Sequence, residues 1–149
     1  MIVNGILFSC YSDRKTITVP SGVSRIDGTA FFDCFSMEYV ELPTSFHIIG
    51  ERAFALCNKL KEIVIPDTVT TIADFAFDEC ASLAHVTISS KSISISNTAF
   101  RRCSALMSVY APYIPLRALT ELRLQKPAVA FFRNHPEANY DPAVRNDYL

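Results

Sequence analysis

This chain repeats itself every 23 residues. Cysteines stand at 34, 57, 80 and 103, three successive steps of 23. The same step links Phe31, Phe54, Phe77 and Phe100, and Ala30, Ala53, Ala76 and Ala99. It links Ile26, Ile49, Ile72 and Ile95. It also links Met37, Leu60, Leu83 and Leu106, and Val40, Ile63, Val86 and Val109. Pro20, Pro43, Pro66 and Pro112 share a further column, in which Ser89 is the exception. So many columns at one lag mean a chain built from copies of one short unit. A unit of this size cannot enclose a core, so it must stack on its neighbours to bury its apolar face. With 50% apolar and 19% charged residues, the chain has the apolar surface for that stacking and too little charge for disorder.

One unit predicts the geometry. Leu60-Lys61-Glu62-Ile63-Val64-Ile65-Pro66 ends in period-two alternation, the mark of a short strand with one buried face. Pro66 has no N–H for a ladder and ends the strand. Val69 and Ile72 turn the chain inward again. Ala76, Phe77 and Cys80 then return a small residue, an aromatic and a thiol to the core. Strands of successive units pair in parallel about 4.8 Å apart. Like residues therefore pile over like.

The pattern LxxVxIPxxVxxIxxxAFxxCxxL is carried here by Leu60, Ile63, Ile65, Pro66, Val69, Ile72, Ala76, Phe77, Cys80 and Leu83. It resembles the BspA-like leucine-rich repeat family. The resemblance implies an α/β solenoid: a right-handed leucine-rich-repeat superhelix with a parallel sheet on its concave face. It also implies a non-catalytic interaction protein, bacterial or protozoan, often at the cell surface. The family offers no catalytic residues to transfer. The unit with Ser89 for proline and Ser92 for valine departs most and is expected to have the looser turn.

The repeats are expected over residues 14–112. Residues 1–13 read in two ways. Val3, Gly5, Leu7 and Phe8 fall 23 residues before Ile26, Gly28, Ala30 and Phe31, which makes a partial repeat. Asn4-Gly5 is alternatively a strong two-residue hairpin signal, which makes an N-terminal cap. After Pro112 the lattice fails, and residues 113–149 are expected to form a short helical C-terminal cap, cut from a longer protein. Pro115 suits a first helical turn, and Leu116, Leu119 and Leu122 follow at three-residue spacing. A second short helix is expected at 128–133. Asp141-Pro142 is a further helix start signal.

The reactive residue types give no site. Zinc sites need close cysteine pairs, whereas here each coil carries one. Adjacent coils bring the cysteines within disulfide reach, yet parallel Cβ vectors do not supply the dihedral. A ladder of buried thiols is therefore expected, without disulfides. Cys10 lies off the ladder and is expected to be more reactive. His85 follows Cys80 by five residues, but the pattern points the thiol inward and the imidazole outward. His47 and His135 read as solvated. Carboxylate pairs such as Asp78-Glu79 read as loop residues. No nucleophile elbow, phosphate loop or dinucleotide fingerprint occurs, so neither an enzyme nor a cofactor is expected.

Net charge is −1, from 14 basic and 15 acidic residues, so the footprint of a nucleic-acid binder is missing. No uncharged stretch reaches the ~20 residues of a membrane-spanning helix. No basic segment followed by an apolar core, the pattern of a secretion signal, is visible at the N-terminus. That leaves a cytoplasmic location beside the surface or secreted one implied by the resemblance.

What remains is the outward side of the strands. The third strand position gives Tyr39, Glu62, His85 and Ser108, and the fifth gives Glu41, Val64, Thr87 and Tyr110. These eight residues do not repeat while the core columns do. Solvent exposure alone permits such variation. Tyrosine at the flanks suits a partner-binding surface. The expected function is a protein-interaction module using these eight residues. The alternatives are a structural spacer of a larger bacterial surface protein and a carbohydrate-binding surface module.

Overall fold

The structure, a computed structural model, describes residues 1–7 and 13–124. The expectations for Cys10 and for helices at 128–133 and after Pro142 lie outside the described residues. The strands are β1 (Ile2–Val3), β2 (Ile6–Leu7), β3 (Thr16–Thr18), β4 (Arg25–Ile26), β5 (Tyr39–Glu41), β6 (Ile48–Ile49), β7 (Glu62–Ile65), β8 (Thr71–Ile72), β9 (His85–Ile88), β10 (Ser94–Ile95) and β11 (Ser108–Tyr110). One helix follows, α1 (Leu116–Thr120). The chain winds as a parallel-sheet solenoid. Helix is confined, among the described residues, to α1, and the far side of each coil is made of turns.

The strand read from LxxVxI forms the first side. β3 pairs β5 in parallel, and β9 lies between β7 and β11. Register follows the repeat: Ile17 faces Val40, Ile63 faces Val86, and Val109 faces Val86. Pro66 has no amide to give. Ser89 does, and its N–H donates to the Ile65 carbonyl at 3.0 Å. The unit expected to have the looser turn thus gains a ladder bond at that place. β7 and β9, which this bond extends, are the four-residue strands.

A second parallel sheet runs down the adjacent side, β2-β4-β6-β8-β10, with Ile26, Ile49, Ile72 and Ile95 in register. In the sequence the isoleucine column shows only a turn inward. Two-residue strands are too short to print an alternation in the sequence.

The far side closes each coil through paired left-handed residues. Thr29, Arg52 and Phe75 hold φ of 66°, 55° and 57°. Asp33, Leu56, Glu79 and Arg102 hold 56°, 62°, 59° and 58°. These conformations aim alternate amides along the solenoid axis. Arg52, Phe54 and Leu56 donate to the carbonyls of Asp74, Ala76 and Asp78 at 3.1, 2.8 and 2.9 Å. Thr29, Phe31 and Asp33 do the same to Glu51, Ala53 and Ala55. Every buried amide pair so formed offsets the cost of placing residues with side chains in a region that favours glycine.

Between the sides the columns stack as read. Phe31, Phe54, Phe77 and Phe100 lie ring over ring at 4.7, 5.1 and 5.1 Å, within 6° of parallel. Ring separation thus equals the rise of a coil, about 4.8 Å. The thiols of Cys57, Cys80 and Cys103 donate to the carbonyls of Phe31, Phe54 and Phe77, each one coil back, at 3.0, 3.1 and 3.1 Å.

At the start, β1 and β2 form an antiparallel hairpin over Asn4 and Gly5, whose φ values are 49° and 72°. β2 continues the second sheet with Leu7 opposite Ile26, a step of 19 residues. The 23-residue register that set Val3 opposite Ile26 is corrected to Leu7 opposite Ile26. The tight turn folds the first strand back, so Leu7 occupies the isoleucine column. At the other end Pro115 stands immediately before α1, and Leu119 and Leu122 are buried. The Arg123 amide then donates to the Asn97 carbonyl at 2.8 Å, closing the last coil's exposed edge.

Candidate interaction surface

Alternation within each strand decides which side chains face out. In β7, Ile63 and Ile65 are buried while Glu62 and Val64 are exposed. β5 buries Val40 and exposes Tyr39 and Glu41. β9 exposes His85 and half-buries Thr87, and β11 half-buries Ser108 and exposes Tyr110. All eight residues singled out in the sequence thus lie on one outer face, in two rows across the strands.

A groove of about 1040 Å³ crosses this face. Tyr39, Glu41, Glu62, Val64 and Tyr110 line it. His85, Thr87 and Ser108 lie on the same sheet but do not line it. His85 Nδ1 instead lies 2.7 Å from Ser108 Oγ in the next coil. The groove's other wall comes from the proline turns and from residues beyond them: Thr44, Pro66, Asp67, Lys91, Pro112 and Tyr113. The sequence reading missed these. They fall outside LxxVxI, and only the folded turn brings them beside the strands. Val64 is 58% exposed and Tyr113 53%, so apolar surface is open to solvent in the groove.

Charge around the coil is paired along the repeat. Glu38 accepts from Lys15 at 2.9 Å and from Lys61 at 2.5 Å. The Lys61 hydrogen bond, and then that of Lys15, hold the Glu38 carboxyl down at about 2. The Asp78 carboxylate, largely buried, takes two bonds from Arg101, at 2.9 and 2.7 Å. Arg102 pairs Glu79 at 2.5 Å. The Arg101 guanidinium also lies 4.6 Å from the centre of the Phe75 ring. Asp74 accepts from Ser96 and Thr98, which lowers its carboxyl.

The reactive types stay apart. Cys80 is buried against Phe54, while His85 is exposed on the sheet. Burial pushes the Cys57 thiol up to about 12. The hydrogen bond with Cys103, together with burial, pushes Cys80 well above the ordinary thiol range. Thiols so placed stay protonated and are poor nucleophiles. No disulfide joins Cys34, Cys57, Cys80 and Cys103. Among the described residues no group of three His, Cys, Asp or Glu side chains could hold a metal ion. Among them, too, no helix is long and apolar enough to cross a membrane.

Comparison with known proteins gives the same architecture. The model of the BspA type leucine-rich repeat region matches residues 2–114 in 6 copies. Among solved structures, the chain is similar to a leucine-rich cell surface protein of Faecalibacterium prausnitzii A2-165. Identity is 24% and the TM-score 0.61, over 75% of this chain and 35% of that one. It is also similar to the leucine-rich repeat protein of T. pallidum. There identity is 27% and the TM-score 0.52, over 70% of this chain and 62% of that one. The chain thus spans about a third of the first protein's length and 62% of the second's. No curated protein matches it.

Proposed function

The chain belongs to the BspA type leucine-rich repeat family, and on that premise we propose that it is a non-catalytic protein-interaction module of a bacterial surface protein. One observation carries the reading. Five non-repeating side chains, Tyr39, Glu41, Glu62, Val64 and Tyr110, converge on one groove of a face whose buried side repeats coil after coil. The repeating side explains folding, and the varied side is free to serve recognition. Tyrosine is enriched where interfaces concentrate their energy, and three tyrosines, Tyr39, Tyr110 and Tyr113, line this groove. His85, Thr87 and Ser108 flank it as secondary contacts. The surface location is supported by the cell surface protein that shares the fold.

The test replaces Tyr39, Glu62 and Tyr110 together by alanine. The variant should keep the melting curve of the parent and lose capture of specific partners. Capture that survives the triple change would move the site off this face. A parent chain that captures nothing specific would favour a spacer.

A further inference from the structure

Three carboxylates outside the groove meet a base one repeat away. Glu38 lies between Lys15 and Lys61, Asp78 meets Arg101, and Glu79 meets Arg102. Among the described residues the groove carboxylates make no such pair. One repeat before and after Glu62 stand Tyr39 and His85, and around Glu41 stand Thr18 and Val64. The Glu41 carboxylate accepts from the Thr18 hydroxyl at 2.9 Å. Among the described residues neither Glu41, Glu62 nor Asp67 makes an ion pair. Among the described residues lining the groove, Lys91 is the one base, against those three acids.

The tyrosines show what they accept. Lys61 Nζ lies 5.4 Å from the centre of the Tyr39 ring, and Lys91 Nζ lies 5.4 Å from that of Tyr113. Both fall within the range of cation–π attraction. The Tyr110 ring is exposed, and among the described residues no cation stands over it. Exposed Val64 lies on the strand between these features and suits the methylene stem of a long basic side chain. Excess carboxylate, an unused ring and an apolar bed are together complementary to side-chain cations.

Building on the interaction reading above, we infer that the groove receives an extended, basic polypeptide segment. Glu62 on β7 pairs one cation, and the Tyr110 ring on β11 receives a second. Two coil steps separate these strands, about 10 Å, which a polyproline II chain covers in about three residues while returning to the same face. The preferred ligand therefore carries lysine or arginine at positions i and i+3.

The probe is a fluorescein-labelled octapeptide with lysines three apart, read by anisotropy against the whole chain. The comparison peptide replaces both lysines by glutamine. The lysine peptide should bind, weaken with added salt, and outcompete the glutamine peptide. Glu62→Gln and Tyr110→Ala should each weaken it about threefold, the size of one exposed ion pair or cation–π contact. Glu79→Gln, away from the groove, should leave it unchanged. Equal binding of both peptides, or a loss as large with Glu79→Gln, would overturn the inference. So would tighter binding of a neutral oligosaccharide to the same groove. Photo-crosslinking from position 64 separates the two levels. A partner protein without a basic segment would overturn this inference alone, and no crosslinked protein would overturn the interaction reading beneath it.

Discussion

The Cys80 thiol donates to the Phe54 carbonyl of the preceding coil at 3.1 Å, while the Phe54 amide donates to Ala76 of the coil Cys80 belongs to. The backbones of Phe31, Phe54 and Phe77 are thus each tied twice to the coil that follows. The thiol column is a set of hydrogen-bond donors as well as a set of small apolar side chains.

Thiol alkylation should report this directly. With Cys57 pushed up to about 12 and Cys80 raised well above the ordinary range, neither should react with iodoacetamide in the folded chain at pH 8. Both should react once denaturant unfolds it. Peptide mass analysis after a timed pulse measures each site. Rapid native labelling at Cys57 would contradict the buried column.

Phe77→Ala removes a ring stacked on both sides, by Phe54 and Phe100. The loss should be about 3–5 kcal/mol in denaturant unfolding. A loss below about 1 kcal/mol would place the ring outside the core.

Glu38 sets an acid limb. Its carboxyl is lowered to about 2 from an ordinary 4.5. A lowered group stabilises the fold fully above its ordinary value. That contribution then fades as pH falls from 4.5 towards 2. Glu38→Gln should flatten the fall in melting temperature across this window and lower stability at neutral pH. An unchanged acid limb would show that Lys15 and Lys61 do not act through Glu38.

Thr29 is β-branched and holds φ of 66°. Asparagine tolerates that region far better. Thr29→Asn should raise stability by about 1 kcal/mol, read as a shift in denaturation midpoint at unchanged slope. A destabilised variant would mean that the threonine side chain offsets its own backbone strain.

Legibility followed the lag. Columns such as Phe31–Phe54–Phe77–Phe100 repeat because identical neighbours must pack on one another, so core, register and outer face could all be read from sequence. The far-side turns could not. Their left-handed positions are held by Thr29, Arg52, Phe75 and Leu56, none of which carries the glycine signal. Inter-coil amide bonds, not local preference, hold Thr29, Arg52 and Leu56 there. Of the two N-terminal readings, the Asn4-Gly5 hairpin is the one formed, and its turn replaces the repeat's own spacing. Half of the groove was hidden for a related reason. Asp67, Lys91 and Tyr113 reach it through turns, and turn residues do not declare which side they face until the coil closes.

The near-coincident planes of the phenyl rings, 4.7–5.1 Å apart and tilted by at most 6°, mean that one coil maps onto the next almost by pure translation. Duplicating or deleting a whole unit would change length in a fixed increment and leave every contact type intact. Gene-level expansion would then act as a ruler, lengthening the reach of the scaffold without redesigning it.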